Sequence, residues 1–148
     1  MSAVVLQASL RETPLSVHRL LRMVSDPEVG GIALFVVVVR VHDVGSEVTA
    51  LDYSQHPDAG RALQECADRV AAKHDVLRLA VEHRVGHLQV GDLAVVIAVG
   101  AVHREPALAA CADLINTVKA EVPIWKEQIF TSGESTWVGL PDAAGTDR

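Results

Sequence analysis

Aromatic residues are scarce in this chain. Phe, Trp and Tyr together make up 3% of the 148 residues, so a surface of stacked aromatic and basic side chains for nucleic acid is not expected. The formal net charge is −6, which argues further against a broad basic face for phosphate backbones. We therefore expect no nucleic-acid partner, although this charge is compatible with a local cationic pocket.

Cysteine is also rare. The two cysteines, Cys66 and Cys111, form no CxxC pair, which argues against a zinc or redox site. Both lie in segments with helical spacing, and we expect them to be small buried apolar positions rather than reactive thiols. The seven histidines show no metal-ligand spacing. We expect no metal site, and the sequence indicates no cofactor.

Long apolar runs are missing as well. The longest run, GIALFVVVVRV, is far shorter than the roughly 20 residues that span a bilayer. The N-terminal segment MSAVVLQASLRETP lacks a basic region followed by a long apolar region, so we identify no signal peptide. We expect a cytoplasmic protein with no membrane partner.

Alternating helix and strand patterns fill most of the chain. Hydrophobic residues make up 49% of the sequence, enough for the core of a single domain. The periodicities predict the order α-β-β-α-β-β-α-β-β, which is an α+β pattern rather than a regular βαβ winding. We expect one domain over residues 1–140 and a flexible tail, PDAAGTDR, over residues 141–148.

Three segments carry specific structural predictions. GIALFVVVVRV is continuously apolar and β-branched, which predicts a strand buried on both faces. VLRLAVEHR alternates apolar and polar residues, which predicts a half-exposed strand. VGHLQVGD contains two glycines and is expected to be a connection.

Two of the three lysines lie in the segment KAEVPIWKEQ. Pro123 disfavours helix at Val122, so the preceding helix should end there, with Lys119 in its final turn. In an extended strand after Pro123, Lys126 and Gln128 share one face. The bend at Pro123 can bring both amines to one pocket wall. Two ordinary surface lysines, one of them complementing the helix C-terminus, are the alternative.

Three further residues lie at the ends of apolar strands. His103 and Arg104 follow a buried strand and precede a helix, a junction where backbone N–H groups and an arginine can bind an anion. A capping and solvation role is the alternative for this pair. Arg40 ends the first apolar strand, where it either reaches to solvent or faces a ligand.

The segments HRVGHLQVGDLAVVIAVGAVHREPALAA, LINTVKAEVPIWKEQ and WVG resemble the large, catalytic subunit of molybdopterin synthase, the MoaE family. The resemblance covers residues 26–139. Its sharpest signatures are the His-Arg pair that opens a helix and the Lys-x(3)-Pro-x-Trp-Lys segment. It implies an α+β fold of the α/β-hammerhead type, with a mixed or antiparallel sheet and packed helices.

The resemblance also implies an activity and partners. The family inserts two sulfurs into cyclic pyranopterin monophosphate (precursor Z) and so forms the dithiolene of molybdopterin. The sulfur arrives as a thiocarboxylate on the C-terminus of a small ubiquitin-like subunit. Two large subunits form a central homodimer within a heterotetramer. We therefore expect a sulfurtransferase of molybdenum cofactor biosynthesis.

Site residues follow from the resemblance position by position. Lys119 and Lys126 match the family's two pocket lysines and are the expected catalytic residues. The expected substrate-binding residues are these two lysines together with Val38, Val39, Arg40, His103, Arg104, Glu127 and Gln128. Lysine can change its protonation state in a desolvated site and arginine cannot, so the arginines are expected to hold phosphate. Lys119 is expected to handle the acyl terminus and proton transfer.

One stretch departs from the family pattern. The family strand commonly reads Phe-x-Gly-x-Val-Arg, whereas here Val37 stands at the glycine position and Val38 at a position that is commonly polar. Glycine there allows close backbone approach to a ligand. The alternative function is therefore a divergent, non-catalytic paralogue that binds the small subunit without turnover.

Overall fold

Two sheets and three helices build the domain. The structure, a computed structural model, describes residues 3–43 and 46–138. The predicted α+β class is confirmed. The helices are α1 Val17–Val24, α2 Ala59–Lys73 and α3 Arg104–Glu121; the strands are β1 Val4–Arg11, β2 Gly31–Val38, β3 His42–Asp43, β4 Ser46–Gln55, β5 Arg78–Arg84, β6 Gly86–Gln89, β7 Leu93–Ala101, β8 Ile124–Phe130 and β9 Ser135–Val138.

The first sheet has the strand order β1-β5-β7-β2. Strand β1 runs parallel to β5, and the other neighbours are antiparallel, so the sheet is mixed, as expected. Helices α2 and α3 cover one face of this sheet and α1 covers the other. The apolar run of β7 suits this position, because a central strand between two helical layers is buried on both faces.

The second sheet contains the five strands β3, β4, β6, β8 and β9. Its order is β3-β4-β8-β9, and β6 also pairs with β4. Helix α3 leads into β8 through Val122 and Pro123, and the Val122 backbone is extended with φ −82° and ψ 121°. The prediction that the helix ends at this proline is confirmed. Lys119 accordingly lies in the last helical turn.

Strand β5 is buried, and the prediction of a half-exposed strand was wrong. It lies between β1 and β7, and five of its seven residues are buried. The polar residues of its alternating pattern include a buried ion-pair partner and do not mark a face that contacts solvent. Glu82 is 0% exposed and is bound by Arg11 of β1 and Arg19 of α1.

Strand β2 is more exposed than the sequence predicted. It was predicted to be buried on both faces, but it is the edge strand of its sheet, and Leu34, Phe35 and Val38 are 40%, 42% and 49% exposed. Hydrophobicity alone does not distinguish a central strand from an edge strand that another surface can cover.

Three strands escaped the periodicity analysis. Strand β1 lies in the N-terminal segment, for which no structure was predicted, and β6 lies in VGHLQVGD, which was expected to be a connection. The third, β3, has two residues. Strands β1 and β6 depend on partners distant in sequence, since β1 pairs with β5 and β6 with β4, whereas β3 pairs with the adjacent β4 and is too short for a periodic pattern. The predicted tail, residues 141–148, lies outside the described residues.

Candidate active site

A pocket of about 280 Å³ opens where the two sheets meet the end of α3. The end of β2, the middle of β4, the last turn of α3 and the start of β8 each form part of its wall. Its lining consists of Phe35, Val37, Val38, Val39, Arg40, Val48, Leu51, Tyr53, Lys119, Lys126 and Gln128.

The turn at Pro123 is what brings the two lysines together. Lys119 is on the last turn of α3, and Lys126 is on β8 directly after the turn. Strand β8 is held against β4, with Tyr53 opposite Lys126 and Leu51 opposite Gln128. Of the two alternatives left open by the sequence, the structure therefore shows one shared pocket.

Arg40 and the two residues before it form a second wall. The pairing of β2 with β7 shifts register between Val37 and Val38, and Val38 then pairs with Leu93 at the end of the strand. Val39 stays attached through its N–H, which donates to the Asp92 carbonyl at 3.0 Å. Arg40, the next residue, lines the pocket. Val38 and Val39 also contribute to this wall, as does Val37 at the family's glycine position.

Glu127 and Gln128 lie on opposite faces of β8, because side chains alternate along a strand. Gln128 is 4% exposed and lines the pocket. Glu127 is not among the lining residues and accepts a hydrogen bond from the Ser135 hydroxyl at 2.7 Å. Only Gln128 of this predicted pair lies with the lysines.

His103 and Arg104 lie at the other end of α3. His103 is the N-cap and Arg104 the first helical residue, and both are exposed. Fifteen residues of helix separate Arg104 from Lys119, which corresponds to about 22 Å along the axis. Within one chain, the pair is therefore remote from the pocket.

Close backbone packing fixes the position of this helix start. A Cβ at Gly30 would lie 2.3 Å from the Val102 carbonyl oxygen, so only glycine fits there. The neighbouring Gly31 lies against the Arg104 backbone in the same way, at 3.3 Å from its Cα. The Gly30-Gly31 pair thus holds His103 and Arg104 beside the edge strand β2.

The pocket is cationic. Its charged lining residues are Arg40, Lys119 and Lys126, and no Asp or Glu lines it among the residues that the structure describes. Cations clustered in a partly apolar cleft favour an anionic ligand such as a phosphate or a carboxylate. Gln128 and Tyr53 add neutral hydrogen-bonding groups.

The sequence prediction missed part of the pocket lining. Phe35, Val48, Leu51 and Tyr53 were not among the expected site residues. Leu51 and Tyr53 are two residues apart on β4, so the alternation of that strand places them on one face. That face becomes recognisable only once β4 is known to pair with β8.

Two kinds of feature are absent from residues 3–43 and 46–138. That part of the chain contains no cluster of three or more His, Cys, Asp or Glu side chains suited to a metal ion. Its helices include none that is both long enough and apolar enough to cross a membrane.

Comparisons with known proteins agree on one family. The family model described as MoaE protein matches residues 10–121. The chain is 46% identical to molybdopterin synthase catalytic subunit 1 of Mycobacterium tuberculosis, over 88% of each chain. It is 34% identical to the molybdopterin synthase catalytic subunit of Bacillus subtilis, over 88% of this chain and 83% of the relative.

A solved structure shares the fold. The molybdopterin synthase from Staphylococcus aureus superposes with a TM-score of 0.81 at 30% sequence identity. The match covers 88% of this chain and 95% of the other.

Proposed function

Because this chain belongs to the MoaE protein family, we propose that it is the catalytic subunit of a molybdopterin synthase. In this role it transfers two sulfurs to cyclic pyranopterin monophosphate, one from each of two small ubiquitin-like subunits with a thiocarboxylated C-terminus. The observation that carries the proposal is the convergence of Lys119, Lys126 and Arg40 on one pocket.

The chemistry of the reaction suits this pocket. Both reactants are anionic, since one carries a phosphate and the other a thiocarboxylate, and fixed cations can hold them next to each other. Arg40 can bind the phosphate through paired N–H donors. Lys119 can hold the acyl terminus and supply or remove protons, and Lys126 shares binding or acts as a second acid.

We propose that each working site draws on two copies of the chain. His103 and Arg104 are about 22 Å along α3 from Lys119 and cannot join that pocket within one chain. They lie beside the exposed edge strand β2, and the nearby Val102 and Leu108 are 49% and 59% exposed. A two-fold interface over this apolar surface would bring the pair of one copy toward the lysines of the other.

The small sulfur-carrier subunit then docks so that its C-terminal residues enter the pocket, which completes the heterotetramer implied by the family. The pocket offers this terminus apolar side chains from β2 and β4 together with the three cations Arg40, Lys119 and Lys126. The cytoplasmic location stays a prediction, as does the division into residues 1–140 and a tail.

The non-catalytic alternative depends on Val37. Its side chain lines the pocket, yet the cavity retains about 280 Å³ and all three cations. A pocket of this size with its lysines present favours turnover over binding alone.

Reconstitution tests the function directly. The protein is mixed with cyclic pyranopterin monophosphate and a thiocarboxylated small subunit, and molybdopterin is measured by mass spectrometry. We expect product with the wild-type chain and none with Lys119→Ala, which should fold normally because Lys119 is exposed. The same subunit with an ordinary carboxylate terminus is the control.

Two results would contradict the proposal in different ways. A stable complex of the chain with the small subunit that yields no product would identify the non-catalytic paralogue. Near-normal turnover by Lys119→Ala would remove Lys119 from the chemistry and leave the enzyme assignment in place.

A further inference from the structure

A second, smaller cavity of about 20 Å³ lies directly behind the pocket. The two cavities share Val37, Tyr53 and Lys119 as lining residues. The rest of the inner lining is aliphatic except for one residue, His83. His83 is therefore a polar group placed behind the wall that carries Lys119.

The position of the His83 ring is fixed on two sides. Its Nδ1 lies 2.8 Å from the Arg84 carbonyl oxygen, and His83 is 5% exposed. A carbonyl oxygen only accepts hydrogen bonds, so Nδ1 carries the proton in this contact. In the neutral imidazole, Nε2 is then an acceptor on the other side of the ring.

Tyr53 connects this histidine to the pocket. The two rings meet edge to face, with centroids 5.2 Å apart and planes at 86°. Tyr53 is 9% exposed and lines both cavities, and on β4 it is the register partner of Lys126. Tyr53 is thus in contact with His83, is the cross-strand neighbour of Lys126 and shares both cavity linings with Lys119.

The apolar wall by itself does not fix the position of the Lys119 amine. A lysine side chain has four rotatable methylene bonds and many rotamers, and aliphatic walls do not select among positions of its amine. Polar groups in a confined, mainly apolar space restrict the amine to a few positions, because a charged amine is stabilised near them only in matching geometries. Among the described residues that line the inner cavity, Tyr53 and His83 are the two with polar side chains besides Lys119 itself.

We propose that Tyr53 and His83 act together as positioning residues that fix where the Lys119 side chain lies at the inner wall of the pocket. This inference rests on the proposed function for its effect on turnover. Its effect on the lysine itself is independent of any reaction and is measured separately.

Lysine acylation gives the direct test. The chain has three lysines, so acetic anhydride in trace amounts, followed by peptide mass spectrometry, reports the relative reactivity of Lys73, Lys119 and Lys126 in one sample. His83→Phe keeps a ring beside Tyr53 and removes both nitrogens, and Tyr53→Phe removes only the hydroxyl. We expect each to change the acylation rate of Lys119 at least threefold relative to Lys73, which lies far from the pocket on α2.

Turnover and rescue form the second measurement. His83→Phe and Tyr53→Phe should each lower the rate at saturating substrate about tenfold, with affinity for cyclic pyranopterin monophosphate within about twofold of wild type. His83→Gln retains a polar group at this position and should recover part of the rate. Because the pair acts as a unit, the double variant should be no slower than the slower single variant.

A matched histidine elsewhere is the control. His74 is partly buried, and its Nε2 is 2.8 Å from Asp113, but it lies at the end of α2 outside both cavities. His74→Gln should leave turnover and the ratio of Lys119 to Lys126 acylation unchanged; Lys73 is not the reference in this variant, because it contacts the same Asp113 carboxylate oxygen as His74. This separates a local effect on the lysine from the general cost of losing a histidine hydrogen bond.

The outcome that overturns the inference is Lys119 acylation equal to wild type in both His83→Phe and Tyr53→Phe, with a change only in melting temperature. If His83→Phe does not fold, Lys119→Met supplies the reciprocal measurement. The ¹⁵N signal of His83 Nε2 should then shift, and an unchanged signal overturns the inference. Failure of the proposed function is distinct, since it appears as a stable complex of the wild-type chain with the small subunit that yields no molybdopterin, and it leaves the acylation measurement unaffected.

Discussion

At the scale of single residues, the pocket divides its cations by type. Arg40 ends an edge strand and faces the pocket, while the two lysines sit on either side of a proline turn. Arginine offers a fixed fork of donors that suits phosphate, and lysine can exchange a proton. Substitution of the arginine should therefore affect substrate binding, and substitution of a lysine should affect the reaction rate.

Arg40→Ala should weaken substrate binding more than it weakens docking of the small subunit. A charge-assisted hydrogen bond contributes about 1.5–3 kcal/mol, so calorimetry should show a loss of affinity for cyclic pyranopterin monophosphate of about tenfold or more. Arg61→Ala is the control, because Arg61 is an exposed arginine on α2 paired with Asp58. Equal affinities for wild type and Arg40→Ala would remove the phosphate role.

Val37→Gly should leave turnover unchanged or raise it, since glycine restores the family residue and widens the pocket. The free energy of unfolding should fall by about 1–3 kcal/mol, because the strand loses a partly buried side chain and gains flexibility. Val36→Gly is the matched control, because Val36 is the neighbouring valine of the same strand but packs on the opposite face of the sheet. A large loss of activity in folded Val37→Gly would show that Val37 belongs to a repacked, working pocket.

Both cysteines should resist alkylation in the native protein. Burial raises the pKa of the Cys111 thiol to about 11, and burial is also the main cause that raises the pKa of Cys66. The thiolate is the reactive form, so at pH 8 both should react with iodoacetamide far more slowly than a free thiol. Both should react fully in denaturant, and rapid native labelling of either would contradict the expected structural role.

At the scale of elements, one buried carboxylate links three of them. Glu82 on β5 accepts hydrogen bonds from Gln7 and Arg11 on β1 and from Arg19 on α1. The hydroxyl of Ser16, the N-cap of α1, accepts from the Arg19 N–H and fixes the start of that helix. The face of the first sheet that α1 covers thus has an ionic centre inside an apolar layer.

Glu82→Gln should lower the free energy of unfolding by about 1–3 kcal/mol. The amide keeps the size of the side chain but no longer neutralises two arginines whose side chains are 34% and 36% exposed. Asp58→Asn is the control, since the Asp58–Arg61 pair is exposed and should contribute at most about 1 kcal/mol. Denaturant unfolding measures both, and equal losses would refute the special role of Glu82.

At the scale of the whole molecule, the length of α3 separates the predicted site into two halves. Lys119 and Lys126 lie at one end, and His103 and Arg104 lie at the other beside the exposed β2 edge. A site shared across a two-fold axis reunites them, and each dimer then holds two equivalent sites.

Subunit exchange between two inactive variants tests this arrangement. Lys119→Ala and Arg104→Ala should each be inactive alone, and a mixed dimer should hold one doubly damaged site and one intact site. Random exchange makes about half of the dimers mixed, so roughly a quarter of all sites should recover. Activity is measured after mass spectrometry has shown that mixed dimers form.

Exchange between Lys119→Ala and Lys126→Ala is the matched control. Both lysines come from the same chain, so every site in a mixed dimer keeps one damaged lysine and no activity should return. If Lys119→Ala and Arg104→Ala also fail to restore activity after confirmed exchange, the shared site is wrong.

The sequence alone determined the features that depend on local chemistry. Periodicity located the three helices and six of the strands, and Pro123 fixed the end of α3, because a proline restricts the residue before it. The motifs, through their resemblance to the MoaE family, indicated an anion pocket containing Lys119 and Lys126, whereas the residues alone left two surface lysines as the alternative. These predictions needed no knowledge of which segments meet.

Only the tertiary structure decided the features that depend on partners distant in sequence. Burial of β5 and exposure of β2 follow from strand order, which hydrophobicity does not encode. Tyr53 and His83 meet behind Lys119 only because β4 and β5 come from different sheets that converge at the end of α3. The separation of Arg104 from Lys119 likewise follows from the length of a helix that both residues share, and it points to a second copy of the chain.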